Sequence, residues 1–67
     1  MKLNIIIKKH TDKDYFGYIQ EFPSVCSIDN DIELLTNKLK SNFKDNLKLY
    51  PNVIFDLFKF EITNDSN

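Results

Sequence analysis

The chain has 67 residues, of which 42% are hydrophobic, including six Phe and three Tyr, and a formal net charge of -1. That size allows one domain with one core, near the lower limit for a chain without staples, and the apolar content excludes a disordered tail. Near-neutral charge, with every cation a lysine and no arginine, speaks against a domain that lives on phosphate contacts, and a lone cysteine excludes both an internal disulfide and a cysteine-built zinc site.

Lys2 to Lys8 is a β-branched run in which Leu3, Ile5 and Ile7 share one face of a predicted strand and Asn4 and Lys8 the other. His10 to Asp14 is a polar turn. Tyr15 to Gln20 is a second strand, with Phe16 and Tyr18 on one face and Tyr15, Gly17 and Ile19 on the other. The two form a hairpin. Gly17 weakens a strand unless something needs close approach there, and an opposing large aromatic or a bulge is the expected reason. Pro23 interrupts the pattern, and Val25 to Ile28 is a short third strand, in which Cys26 is expected to be a small buried hydrophobe.

The period then changes. Ile32, Leu35, Leu39, Phe43 and Leu47 recur at helical spacing, predicting an amphipathic helix from about Asp31 to Asn46. Asn30 with Glu33 reads as its capping box, Asp29 and Asp31 suit the positive end of the dipole, and Pro51 forbids continuation. A last strand is expected from about Val53 to Ile62. Its apolar phase flips between Leu57 and Phe58, so a bulge or a stretch covered on both faces is expected there. Residues 63–67 are polar and expected to fray. The result is a single α+β domain over residues 1–67, in the order β-β-β-α-β: a small antiparallel sheet with one helix packed on one face.

One helix cannot cover both faces of four strands. Leftover large apolar side chains mark an interface, and Phe16, Tyr18, Phe22, Phe55 and Leu57 are the candidate partner-binding residues. A homodimer is the expected use of such a surface, through edge strands or stacked faces. Chemistry is not expected. His10 is a single loop histidine, the carboxylates of Asp29, Asp31 and Glu33 are explained by capping, and one glycine cannot make a phosphate loop. No metal, no cofactor and no enzymatic activity are expected. A basic patch from Lys38, Lys40, Lys44 and Lys48 reads as a solvated helix face. Leu3 to Ile7 is too short for a signal core or for the roughly 20 residues of a membrane span. With one cysteine, the expected compartment is the reducing cytoplasm.

A resemblance sharpens this reading. Gly17-Tyr18-Ile19-Gln20-Glu21-Phe22-Pro23 looks like an aromatic strand running into a proline, Val25-Cys26-Ser27 like a Gly-Cys step, and Asp29 to Leu35 like a Gly-Asp-Thr-Leu-Glu-Glu-Ala helix start, with Leu39 and Phe43 on its apolar stripe. In these features the stretch from Phe16 to Phe43 resembles the N-terminal domain of HicB-type antitoxins. Val25 and Asp29 stand where that family has glycine, and the loop from Pro23 to Cys26 is shorter. The resemblance implies a partial ribonuclease H-like fold without nuclease activity. It also implies neutralisation, by direct contact over the catalytic histidine, of a small toxin ribonuclease of the HicA type. Many members add a C-terminal DNA-binding module; a chain of 67 residues has no room for one, so operator binding is not expected. Two alternatives of other classes remain: a stand-alone self-associating domain with no toxin partner, and a weak nucleic-acid-binding domain using the helix lysines and exposed aromatics.

Overall fold

The first three β-branched and aromatic runs become strands, and the helical stripe becomes a 16-residue helix. The computed structural model describes residues 2–49 and 55–65. It contains β1 (Lys2–Lys9), β2 (Tyr15–Ile19), β3 (Phe22–Asp29), α1 (Ile32–Leu47), a 3-10 turn (Phe55–Leu57) and β4 (Lys59–Asn64). The four strands form one sheet in the order β3-β2-β1-β4, with α1 on one face. This is the small α+β fold of β-β-β-α-β order that the sequence predicts. The sheet is nevertheless mixed. β1 pairs antiparallel with β2, and β2 with β3, but β4 pairs parallel with β1. The reason is the helix: a strand that follows a crossover helix runs in the direction of the strand before it, and β3 already runs with β1.

β3 begins at Phe22, three residues before the expected start, and therefore contains Pro23. An edge strand tolerates the missing N–H. Gln20 and Glu21 make the connection from β2, and the register slips beside it, so that Tyr18 pairs with Cys26 but Ile19 with Phe22. No described non-glycine residue has positive φ. The primed turns that match strand twist need positive φ, and the slip absorbs the mismatch. Glu21 then closes the end of the sheet: the Asn4 backbone N–H donates to Oε1 at 2.8 Å and the Asn4 side-chain amide to Oε2 at 2.7 Å.

The helix cap falls at Asp31, one residue beyond the expected Asn30. Its carboxylate accepts from the N–H of Glu33 at 2.8 Å and of Leu34 at 3.3 Å. The preceding Asp29 accepts from the N–H of Asp31 and pairs with Lys38 at 2.7 Å, which ties the end of β3 to the second turn of α1.

The core is Leu3, Ile5 and Ile7 of β1, Ile19 of β2, Val25 of β3, and Leu35, Leu39 and Phe43 of α1. Gly17 lies beneath the helix. A Cβ there would stand 2.9 Å from Leu39 Cδ1 and 3.1 Å from both Ile7 Cδ1 and Leu35 Cδ2. The close approach that glycine permits is thus made by the helix, and not by an opposing aromatic or a bulge. At the far end of α1, Phe43 is the hub of an aromatic cluster, with ring centroids 5.0 Å from Phe58, 5.4 Å from Phe22, 5.9 Å from Phe60 and 6.4 Å from Phe55. Edge-to-face and tilted rings of this kind add about 0.5–1.5 kcal/mol per pair beyond area burial.

The phase flip at Leu57 also resolves. Phe55–Leu57 is a 3-10 turn, closed by the Phe58 N–H on the Phe55 carbonyl at 3.0 Å, and the strand starts only at Lys59. Neither a bulge nor a doubly covered strand is present there. Thr63 and Asn64 belong to β4 rather than to the polar terminus, and the Asp65 N–H donates to the Ile7 carbonyl at 2.6 Å. The expected strand start at Val53, the stop at Pro51 and the last two residues lie outside the described residues.

Two measurements check this account. Leu39→Ala should cost about 2–5 kcal/mol as a buried truncation, and Gly17→Val about 1–3 kcal/mol as overpacking. The double variant should lose less than the sum, because the added methyls enter the space that Leu39 leaves; urea unfolding of the three variants reads this directly. The second concerns acid. The Asn4 backbone hydrogen bond holds the Glu21 carboxyl below the usual carboxylate range, and the Lys38 contact followed by the Asp31 N–H does the same for Asp29. Folded protein therefore binds these protons less readily than unfolded chain. Their contribution is present above pH about 4 and is lost as pH falls through the depressed values. Glu21→Gln and Asp29→Asn should each flatten the acid limb of a stability-against-pH curve.

Candidate interaction surface

Strand parity decides which aromatics are left outside. Tyr15, Gly17 and Ile19 face the helix, since they pair with Lys9, Ile7 and Ile5 of β1 and Gly17 sits under Leu39. Phe16 and Tyr18 therefore point to the opposite, open face. There Phe16 lies between Lys8 and Ile28 across the strands, and Tyr18 between Ile6 and Cys26. The two rings are 5.8 Å apart. Phe16, Tyr18 and Ile6 are half-buried by their neighbours within the sheet, and Ile28 is 45% exposed. No described element packs over this patch.

Its rim is polar. Lys8 closes one end. At the other, Asn4 carries the Glu21 carboxylate, and Glu61 of β4, beside Asn4 in the sheet, pairs with Lys2. Thr63 follows Ile6 on the outer strand. An apolar centre with a polar, exposed rim is the anatomy of a protein-binding patch.

The five candidate residues do not form one surface. Phe16 and Tyr18 are together on the open face. Phe22 and Phe55 are on the helix side, within the cluster around Phe43, where Phe22 keeps 41% exposure. Leu57 lies on the 3-10 turn, 64% exposed. Phe22 and Phe55 belong to the helix side because the register slip at the β2–β3 connection sets Phe22 beside Ile19 and the turn at Phe55–Leu57 brings Phe55 onto Phe43. Sequence reasoning missed Ile6, Cys26 and Ile28. Alternation alone places Ile6 opposite Leu3, Ile5 and Ile7. Cys26 is exposed and not buried, because as the partner of Tyr18 it points to the uncovered face.

The remaining polar groups do not converge. Lys38 is held by Asp29, Lys48 lies 3.4 Å from Asp45, and Lys40 and Lys44 lie over the rings of Phe60 and Phe55 at 5.5 and 5.6 Å. The aliphatic stems of Lys40 and Lys44 extend the cover of the aromatic cluster. In the hairpin loop the His10 and Thr11 N–H groups donate to the Asp14 carbonyl, and the Thr11 hydroxyl accepts from Lys13 and Asp14. These contacts shape the turn. No three His, Cys, Asp or Glu side chains come together among the described residues as a metal site would need. No described helix is long and apolar enough to cross a membrane. Comparison with protein-family models, characterised proteins and solved structures finds no match to the chain.

The exposure of Cys26 is directly measurable. Its thiol should react stoichiometrically with an aromatic disulfide reagent in native buffer, at a rate close to that in denaturant. A rate that rises many-fold only on unfolding would return Cys26 to the interior.

Proposed function

We propose that the chain is a non-catalytic protein-binding domain of antitoxin type, whose open sheet face docks on a small toxin ribonuclease of the HicA type. The observation that carries the reading is the apolar patch of Phe16, Tyr18, Ile6 and Ile28, rimmed by polar and charged groups and covered by no described element. A small sheet with one helix across it is the architecture that the HicB resemblance implies, and the helix-start segment does cap a helix. The reading places the protein in the cytoplasm, where an exposed free thiol such as Cys26 stays reduced. Inhibition needs no chemistry from this chain. A patch of this kind acts by burying its aromatics against the partner and excluding substrate from the partner's catalytic histidine.

A second reading, self-association as a homodimer, is favoured by a separate feature, the 47% exposure of Ile62 on the edge strand β4.

The test is co-purification and ribonuclease inhibition with a small toxin ribonuclease of the HicA type. Wild type should form a stable complex and suppress RNA cleavage. Tyr18→Glu and Ile28→Lys should weaken binding at least a hundredfold, because a central aromatic anchor and a like-sized apolar neighbour are replaced by charge. Both should leave the circular dichroism spectrum unchanged, since neither side chain is in the core. Binding that survives both substitutions would remove the open face from the mechanism.

A further inference from the structure

We infer that the outer edge of β3 pairs antiparallel with the same edge of a second copy, about a two-fold axis at Ser27. This gives self-association a surface on the opposite side of the sheet from Ile62, and it does not rest on the docking of a toxin.

The backbone of β3 is open where the strand is regular. The Gln20 N–H donates to the Asn4 carbonyl and the His10 N–H to the Asp14 carbonyl, which fixes the phase of the β1–β2 ladder. Phe16 and Tyr18 therefore exchange bonds with β1, while Tyr15 and Gly17 turn to β3. Their partners Asp29 and Ser27 point inward, and the N–H and C=O groups of Cys26 and Ile28 point outward. Among the described residues nothing bonds to those groups on that side. This stretch lies where Asp29 meets Lys38, at the other end of the helix from the aromatic cluster around Phe43.

Nothing blunts the edge here. Soluble proteins protect a free edge with charge, proline or a bulge. Ser24 to Ile28 carries no charge, and Pro23 and the register slip both lie before Cys26. Cys26 is exposed and Ile28 is 45% exposed.

The pairing groups select the register. Centring on Ser27 sets Cys26 against the partner's Ile28 and Ile28 against the partner's Cys26, so both outward residues of each copy exchange both of their bonds. The same opposition covers the two side chains on the open face. Centring on Cys26 would instead set Ile28 against the partner's Ser24, in the irregular part of the strand. Centring on Ile28 would set Cys26 against the partner's Asn30, which lies outside β3.

The helix carries the same symmetry. Lys38 meets Asp29 and Phe43 meets Phe22, so α1 runs antiparallel to β3. Asp45 follows Lys38 by two turns and lies on the same flank, above the edge. The midpoint between Lys38 and Asp45 is about 5 Å along the helix from Lys38, and Ser27 is about 7 Å along β3 from Asp29. One axis therefore serves both elements, and it sets Lys38 against the partner's Asp45. The Lys38 ammonium has donors beyond the one that Asp29 takes. The exposed contact of Asp45 with Lys48, at 3.4 Å, is a weak competitor. Since α1 packs chiefly over β3 and β2, two copies joined at ordinary strand spacing bring their helices to about 10 Å, a normal packing distance. Leu34, 53% exposed one turn before Lys38, adds apolar surface to that flank.

Sedimentation of the whole chain from micromolar to millimolar concentration is the test. The mass should rise from 7.9 kDa towards twice that value. Asp45→Lys sets a cation against the partner's Lys38 and should shift the transition at least tenfold to higher concentration, with the circular dichroism spectrum unchanged. Tyr18→Glu and Ile62→Lys should leave the curve where it is. In a Cys26→Ser background, Ser27→Cys should cross-link under mild oxidation. Opposed residues of a non-hydrogen-bonded pair have Cα atoms about 4.5 Å apart, within the roughly 4.4–6.8 Å that a disulfide spans. The wild-type chain should cross-link more slowly, because Cys26 lies diagonally from the partner's Cys26 at about 7–8 Å. A constant monomer mass, an unshifted Asp45→Lys curve, a dimer dissociated by Tyr18→Glu or Ile62→Lys, or faster cross-linking at position 26 than at 27 would each overturn the inference. Ile28 belongs to both proposed surfaces, and Tyr18→Glu separates them, since it should lose the toxin and keep the dimer. Failure of either experiment leaves the other proposal intact.

Discussion

The fold rests on how closely one helix can settle on β2. At Gly17 the helix comes so near that even a methyl group would overlap Leu39 and crowd Leu35 and Ile7. The approach lets two helical leucines reach the floor of the sheet and exclude water from Leu3, Ile5, Ile7 and Ile19 together. It also fixes the polarity of the whole sheet. Once position 17 faces the helix, Phe16 and Tyr18 must face away, on the side that no described element covers. Core stability and candidate function are thus two results of one steric fact.

The aromatics divide according to that fact. Phe22, Phe43, Phe55, Phe58 and Phe60 gather where the C-terminal half of α1 meets the start of β3 and the approach to β4. They join parts of the chain that hydrogen bonding does not, and the stems of Lys40 and Lys44 shield them. Among the described residues, Phe16 and Tyr18 meet each other and their neighbours within the sheet. A small domain can support one dense core, and the aromatics outside it mark where a partner would contribute surface.

Much of this was legible in the sequence, because period is a local property. The change from alternation in Leu3, Ile5 and Ile7 to the three- and four-residue spacing of Leu35, Leu39 and Phe43 marked strand and helix, and parity separated Phe16 from Gly17. What escaped depends on geometry beyond the segment. The direction of β4 follows from where a helix delivers the chain. The position of Phe22 follows from a register slip that no composition announces, and the outward turn of Cys26 from which face the helix chose. The cap sits at Asp31 and not at Asn30, and Asp29 pairs with Lys38, which is outside its local window but adjacent once the helix forms.

The parallel pairing of β1 with β4 bears on how the molecule assembles. The hairpins β1–β2 and β2–β3 close short loops, whereas β4 must find β1 across nearly the whole length of the chain. Loop-closure entropy makes such distant pairing the slow step, so β1 has to wait as an open edge, with Ile5 and Ile7 in place, until β4 arrives. The β4 of another molecule meets that same edge on equal terms. Strand exchange between copies is therefore the characteristic misassembly of this topology, and it becomes more competitive as the concentration of folding chains rises.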